Sequence, residues 1–379
     1  MRDKSHRPKR ALARALTIIL IVSSIVIEWL FLTGAPPSQQ ALADAFLPAA
    51  PEAPVIYTRP SFQTGVIFPR WGSWAYTQAD PNYGIGLGEI QSQTGARWVE
   101  LTIGFRQATY RSTVVTPEAS APTPDSLAEG IRLAHERGFK VFIEPFLSLD
   151  TPSPQHSVWG GAAFFPPGSR ATALWFEGYW SALEPYMVAG QRAGADQMAI
   201  GVELQGLETA PVNYWYWLIA QARSVYSGKL TYNINWTSLY QPVREWMRSP
   251  SLAAIGVSVY NSVAGQNEPV PLSSIPERWA ATVGAPLDAF AAQLSRPLII
   301  SEIGYRNAAD ALYQPFHSTT TADPDPQLQA ALYNAALMYA LGDSRIHGIY
   351  FWAWSLPPFS PNWLPAAKVM KGWYHSPLA

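Results

Sequence analysis

Residues 297–306 read PLIISEIGYR, an apolar run rich in isoleucine that ends in a carboxylate, a glycine and an aromatic ring. An apolar run of this length and composition predicts a buried β-strand, and Glu302 stands where that strand would end. A second segment, QMAIGVELQ at 197–205, is likewise an apolar run that ends in a carboxylate, that of Glu203. Delivering a carboxylate on a buried strand costs free energy unless the group is used. Both segments therefore indicate a chemical site at the strand ends.

Short apolar runs alternate with amphipathic segments along the chain from residue 64 onward. We predict eight strands, over 65–68, 97–103, 140–145, 198–203, 229–235, 254–260, 297–302 and 348–354. Helices are predicted between them, over 84–95, 124–137, 171–194, 211–226, 238–248, 276–294 and 325–342. Regular alternation is typical of βα units and a parallel sheet. Eight such units predict a (β/α)8 TIM barrel of the α/β class rather than an open sheet.

The N-terminus has a different composition. Six Lys and Arg residues lie within 2–14, and 15–35 is apolar with Glu28 as its single charge. This order is typical of an export signal. Ala41-Leu42-Ala43 suits a signal peptidase, yet about 20 apolar residues also suffice to span a bilayer. We therefore expect 1–35 to be a signal peptide or a membrane anchor, 36–62 a Pro/Ala-rich linker, and 63–379 a barrel domain outside the cytoplasm.

The composition excludes several kinds of site. The chain has no Cys, so disulfides, thiolate catalysis and Cys-based metal sites are excluded, and its six His form no metal-binding pair. A formal net charge of -1 argues against a nucleic-acid partner. The glycine-rich segment at 84–88 lacks the spacing of a dinucleotide loop. We expect no metal and no cofactor, and a monomer, because no segment calls for an oligomer.

The predicted strands end in carboxylates, amides and aromatic rings. Because the active site of a TIM barrel lies at the C-terminal ends of its strands, the candidates are Gln107, Glu144, Trp159, Glu203, Asn235, Trp236, Tyr260, Glu302, Trp352 and Trp354. Two facing carboxylates about 5–5.5 Å apart suit retaining glycoside hydrolysis. Tyr260 is expected to hydrogen-bond Glu302. Trp352 and Trp354 are expected to share one face of the last strand and to offer a ring to a sugar.

The order of these segments resembles glycoside hydrolase family 113 of clan A, over residues 65–354. The residues that carry the resemblance are the run 300–306 on the seventh strand, 175–179 with 200–203, 230–232 with Asn235 and Trp236, Ile255 and Gly256 with Tyr260, and 351–354. The resemblance implies that Glu203 is the acid/base and Glu302 the nucleophile. It also implies a catalytic domain over 63–379 whose leading substrate is β-1,4-mannan, without a cofactor.

Around this pair the chain departs from the family pattern. Val202 stands where clan A has Asn. Glu144-Pro145-Phe146 stands where a basic residue followed by Pro-His is expected, and Ser258 stands where an Asp is expected. A retained pair in an altered surrounding predicts an active enzyme with changed substrate preference. It leaves open an alternative, a weakened or inactive glycan-binding barrel held at the membrane.

Structural roles are also open for several acidic residues. Glu302 could pair with Arg306, and Glu144 with Arg106. Glu208 is a rival to Glu203. Glu100, within the second strand, is expected to be structural.

Overall fold

The computed structural model describes residues 61–155 and 157–375, and its centre is a closed barrel of eight parallel strands. The strands are β1 Gln63–Ile67, β2 Trp98–Gln107, β3 Lys140–Leu149, β4 Gln197–Val202, β5 Lys229–Asn235, β6 Ala254–Val259, β7 Leu298–Ile303 and β8 Ile346–Phe351. Each strand pairs with its neighbour in sequence, and β1 also pairs with β8. The predicted TIM barrel is therefore confirmed. A short antiparallel strand, Thr116–Pro117, lies against the end of β2.

Helices surround the barrel. They are α1 Pro81–Thr94, α2 Pro124–Glu136, α3 Arg170–Ala193, α4 Val212–Val225, α5 Ile275–Trp279, α6 Ala285–Ala291, α7 Pro326–Gly342 and α8 Pro365–Tyr374. The predicted start of α2 is confirmed. The helix begins at Pro124, and the hydroxyl of the preceding residue, Thr123, accepts a hydrogen bond from the backbone N–H of Ser126.

Two helix predictions need correction. The predicted helix at 238–248 is wrong: two 3₁₀ segments, Trp236–Tyr240 and Glu245–Arg248, replace it, since Pro242 between them has no N–H to continue a helix. The predicted helix at 276–294 is divided into α5 and α6 by a π-helical turn, Ala280–Gly284. The final helix α8 was not predicted.

The strands separate two hydrophobic regions. Side chains at Val99, Leu101 and Ile103 pack outward against the helices, whereas Trp98 belongs to a smaller cluster inside the barrel. Because neighbouring side chains of a strand point to opposite faces, Glu100 lies on the interior side. The barrel interior therefore holds ionisable groups beneath its C-terminal rim.

The predicted export segment 1–35 lies outside the described residues, as does the predicted linker except for residues 61 and 62. Among the residues that the structure does describe, none of the helices has the length and apolar character needed to cross a membrane.

Candidate active site

Glu203 and Glu302 lie at the C-terminal ends of β4 and β7. Glu302 belongs to β7 and is 8% exposed, whereas Glu203 follows the last residue of β4 and is half-buried. The backbone of Glu203 adopts a left-handed conformation with φ of 52°. Such a conformation costs a non-glycine residue about 1–3 kcal/mol, and it is concentrated at functional sites. The turn therefore directs this carboxylate at the expense of local backbone energy.

The turn at Glu203 is held by close backbone contacts. Its N–H donates to the carbonyl of Asn233 at 2.7 Å. A Cβ on Gly161 would lie 2.5 Å from the Glu203 carbonyl oxygen and 2.2 Å from the Trp159 ring. Only glycine permits this approach, so Gly161 brings the loop after β3 against the end of β4.

Each carboxylate accepts one hydrogen bond from an aromatic side chain. The Trp159 indole donates to Oε2 of Glu203 at 2.6 Å. The Tyr260 hydroxyl donates to Oε1 of Glu302 at 2.5 Å, so the expected bond is present. Hydrogen bonds to an ionised carboxylate are stronger than neutral ones and orient the acceptor. The two aromatic donors thus fix both carboxylates.

Burial raises the pKa of both carboxyls. For Glu302 the charge of Glu203 raises the pKa further, and the Tyr260 hydrogen bond opposes this. For Glu203, the polar groups of Ser258, Asn235 and Trp159 oppose the effect of burial on the pKa.

Among the described residues, no basic side chain forms an ion pair with Glu203 or Glu302. The alternative pairing of Glu302 with Arg306 is not found. Instead, Arg306 pairs with Asp310 at 3.1 Å.

A second carboxyl pair, Glu100 and Glu144, lies inside the barrel. Both residues are 0% exposed, and within the described chain neither carboxylate has a hydrogen-bond partner. Burial raises the pKa of each well above its usual range; the carboxyl of Glu144 adds to the rise at Glu100, and that of Glu302 to the rise at Glu144. The alternative partner of Glu144 is also not found, because Arg106 pairs with Asp150. Glu144 is therefore enclosed, and its contact with a substrate stays a prediction.

Two further predicted contact residues lie close to the pair. Asn235 is 3% exposed, and its side chain is one of the groups that lower the pKa of Glu203. The ring of Trp236 lies 5.8 Å from that of Tyr260, centroid to centroid. The structure therefore gathers Asn235, Trp236, Tyr260 and Trp159 around the two glutamates.

The other predicted contact residues are more enclosed. Gln107 is 1% exposed, and its side-chain oxygen accepts a hydrogen bond from the Trp175 indole at 2.8 Å. The expectation that Trp352 and Trp354 share a face is wrong, because β8 ends at Phe351 and the alternation ends with it. Trp352 packs with the cluster inside the barrel, whereas Trp354 is 0% exposed in the outer core.

Glu208, the rival of Glu203, lies behind the turn. It is 3% exposed and accepts hydrogen bonds from Tyr232 at 3.1 Å and Ser238 at 2.9 Å. The Tyr232 hydroxyl also accepts the N–H of Leu204 at 3.1 Å. Burial raises the pKa of Glu208 to about 7. Its contacts make Glu208 a support for the backbone that carries Glu203.

Two stacked tryptophans support the same turn from outside the barrel. The rings of Trp215 and Trp246 lie 4.0 Å apart at an angle of 9°. Their indoles donate to the carbonyls of Leu207 and Glu208 at 3.1 and 3.3 Å. These hydrogen bonds leave no pattern in the sequence, since the acceptors are backbone atoms.

The sequence matches the model of Glycoside Hydrolase Family 113 over residues 67–362. No curated protein sequence is significantly similar to the chain. A solved β-1,4-mannanase of family 113 superimposes with a TM-score of 0.69 at 22% identity, over 83% of this chain and 99% of that one. The family 113 β-mannanase from Alicyclobacillus acidocaldarius, in complex with ManMIm, gives 0.68 at 20% identity, over 83% and 97%.

A more distant structure has the same fold. The β-glucuronidase from Ruminococcus gnavus gives a TM-score of 0.54 at 13% identity, over 84% of this chain and 51% of that one. At these identities the likeness of solved structures concerns the fold.

Proposed function

The chain belongs to glycoside hydrolase family 113, and from this premise we propose that it cleaves a β-linked glycan with retention of configuration. Glu302 is the proposed nucleophile and Glu203 the proposed acid/base. One observation carries the proposal: two carboxylates stand at the ends of β4 and β7 without a basic partner among the described residues, each held by one aromatic donor. Burial without a counter-ion is costly unless the groups are used.

The proposed reaction has two steps. In the first, a carboxylate oxygen of Glu302 bonds to the anomeric carbon while Glu203 gives its proton to the leaving glycosidic oxygen. This forms a covalent glycosyl ester and breaks the glycosidic bond. In the second, Glu203 takes a proton from water, whose oxygen bonds to the anomeric carbon and releases Glu302. Two inversions leave the β configuration unchanged.

The surroundings of the two groups support this division of roles. Glu302 is 8% exposed and hydrogen-bonded to Tyr260, as suits a group that must meet one carbon atom. Glu203 is half-buried, and the acid/base must reach first the leaving oxygen and then a water molecule.

We propose β-1,4-mannan as the substrate. The support is the family, since solved family 113 structures include β-1,4-mannanases. Val202, Phe146 and Ser258 are the positions at which the chain departs from the clan A pattern, and preference among β-linked glycans would change there.

Hydrolysis by the full-length protein tests the reaction. Wild type, Glu203→Ala and Glu302→Ala are incubated with β-1,4-mannan, other β-linked polysaccharides and aryl β-glycosides. We expect wild-type turnover that falls by orders of magnitude in both variants. Azide should restore Glu203→Ala with a β-glycosyl azide product and Glu302→Ala with an α product. Binding without turnover across the panel would instead favour the inactive glycan-binding barrel.

We also propose that the barrel acts outside the cytoplasm as a monomer. The basic and apolar segments within residues 2–35 support export. Fractionation of cells that produce the full chain with a C-terminal tag tests the location, and the N-terminal sequence of the recovered protein distinguishes cleavage near Ala43 from retention as an anchor. Light scattering of the purified protein tests the oligomeric state.

A further inference from the structure

A cavity of about 440 Å³ lies between the segments that follow β6 and β7. Its lining includes the side chains of Gln266, Asn267, Tyr313, Gln314, His317 and Thr319. The volume falls within the range of small-molecule pockets, about 300–1,000 Å³. Beside three charged residues, Glu268, Arg306 and Asp310, the lining offers amides, hydroxyls and aromatic rings that can hydrogen-bond or stack.

The wall of the cavity is preorganised around one buried cation. Arg306 is 2% exposed, and its guanidinium donates to the carbonyls of Asp310, Tyr313, Gln314 and His317 at 3.0–3.3 Å. These bonds hold the segment 310–317 in one conformation. Ordering of the wall therefore occurs on folding, and a ligand would not bear that cost.

The charged groups of the cavity are already paired. Glu268 forms an ion pair with Arg278 at 2.5 Å, and Asp310 pairs with Arg306 at 3.1 Å. Thr320 also donates to Asp310 at 2.8 Å. A charged ligand would have to disrupt these pairs, whereas a neutral polyhydroxylated ligand can hydrogen-bond the side chains of Gln266, Asn267 and Thr319. The chemistry therefore favours a sugar.

A row of aromatic rings joins the cavity to the nucleophile. Tyr260, which hydrogen-bonds Glu302, lies 5.8 Å from Trp236. Trp236 stacks on Phe316 at 5.3 Å and 22°, and Phe316 contacts His317 of the cavity lining at 4.5 Å. Phe316 is 42% exposed. Its free ring surface lies between the catalytic carboxylates and the cavity.

We propose that this cavity is a distal subsite that holds a further neutral sugar unit of the glycan bound across Glu203 and Glu302. This inference rests on the proposed function. Phe316 supplies the apolar surface along which the chain runs, and Asn267 hydrogen-bonds hydroxyls of the distal unit. The subsite makes cleavage depend on chain length, because only a long glycan reaches it.

The test compares wild type with Phe316→Ala and Asn267→Gly. Glycine suits the left-handed φ of 58° at Asn267, so that variant removes the amide without straining the backbone. Tyr216→Ala is the control, because Tyr216 is a 40% exposed aromatic residue on α4, away from the cavity. Thermal unfolding confirms that each variant is folded.

kcat/KM is measured on β-1,4-linked manno-oligosaccharides of increasing length. We expect each variant to lose about tenfold more on long substrates than on the shortest cleaved substrate, equivalent to 1.4 kcal/mol, and to lose it through KM. An equal loss at all lengths, or no loss, would overturn the proposal.

Binding distinguishes failure of the subsite from failure of the proposed function. The affinity of the same oligosaccharides is measured by calorimetry in a Glu302→Gln background, where turnover is not needed. A preference for long over short chains that disappears in Phe316→Ala supports the subsite even if the wild type hydrolyses none of them. Equal affinity at all lengths contradicts it.

Discussion

The Tyr260 hydroxyl donates to Oε1 of Glu302 over 2.5 Å, and this bond favours the ionised form of a carboxyl whose pKa is raised by burial and by Glu203. An ionised Glu302 is what a nucleophile requires. With Glu302 as the proposed nucleophile, we expect Tyr260 to control the acidic limb of the pH–rate profile.

Tyr260→Phe removes this hydrogen bond and keeps the ring. The pKa of Glu302 should rise further, so the acidic limb of kcat/KM should move to higher pH. A hydrogen bond to a charged group contributes about 1.5–3 kcal/mol, which corresponds to a loss of about 10- to 100-fold at pH 6. Steady-state kinetics between pH 4 and 9 provides the measurement, and an unshifted acidic limb would contradict the role.

Trp159→Phe removes the indole N–H that Glu203 accepts at 2.6 Å. That hydrogen bond lowers the pKa of Glu203 against the effect of burial, so its loss should raise the pKa. The acid/base must be protonated in the first step, so the alkaline limb should move to higher pH while the acidic limb moves less. The same pH series measures both limbs. A shift confined to the acidic limb would reverse the roles assigned to the two glutamates.

Glu100→Gln and Glu144→Gln should stabilise the protein at alkaline pH. Burial raises both pKa values in the folded state, above the value of about 4.3 for an unfolded glutamate. The stability associated with the bound protons is present below about pH 4.3 and is lost as pH rises toward the folded pKa. Glutamine has no proton to lose. The difference in free energy of unfolding between each variant and wild type should therefore grow with pH, by about 1.4 kcal/mol for each unit by which the pKa is raised.

Urea unfolding at pH 5, 7 and 9 measures this difference. Glu184→Gln on the exposed side of α3 is the matched control and should change stability equally at all three values. A Gln variant less stable than wild type at pH 9 would show that Glu100 or Glu144 is charged in the folded state.

Arg306→Lys should destabilise the segment 310–317. Lysine cannot reproduce the planar set of donors that reaches four carbonyls, and buried acceptors left without a donor cost about 1–3 kcal/mol each. We expect a loss of about 3 kcal/mol in unfolding free energy and faster hydrogen exchange within 310–317. Arg132→Lys, in an exposed pair with Glu136, should change stability by less than about 0.5 kcal/mol. Unchanged exchange in 310–317 would show that the loop holds its shape without Arg306.

The barrel could be predicted from the sequence because it depends on local patterns. Apolar runs such as 297–302 and the Thr123-Pro124 helix start report on strands and helices directly. They also place Glu203 and Glu302 at strand ends. The final helix could have been found in the same way, since Leu364-Pro365 precedes buried residues at Ala366, Met370 and Trp373.

Apart from the hydrogen bond between Tyr260 and Glu302, contacts between distant segments could not be predicted from these patterns. The approach of Trp159 to Glu203 depends on the position of a long loop and on Gly161. The closeness of the Glu100 and Glu144 carboxyls inside the barrel depends on the register between β2 and β3. In that register Thr102, two residues after Glu100, lies opposite Glu144. The prediction that Trp352 and Trp354 share one face of the last strand was wrong because β8 ends at Phe351. One-dimensional patterns give neither register nor the point at which a strand stops.

The stacked pair of Trp215 and Trp246 gives the molecule its own optical reporter. Two indoles 4.0 Å apart and almost parallel couple their electronic transitions, so separating the rings would change their near-ultraviolet circular dichroism. Both rings donate to the backbone just after Glu203. The intensity of that signal therefore follows the integrity of the turn under the acid/base candidate, and it can be read during heating or titration without any label or substrate.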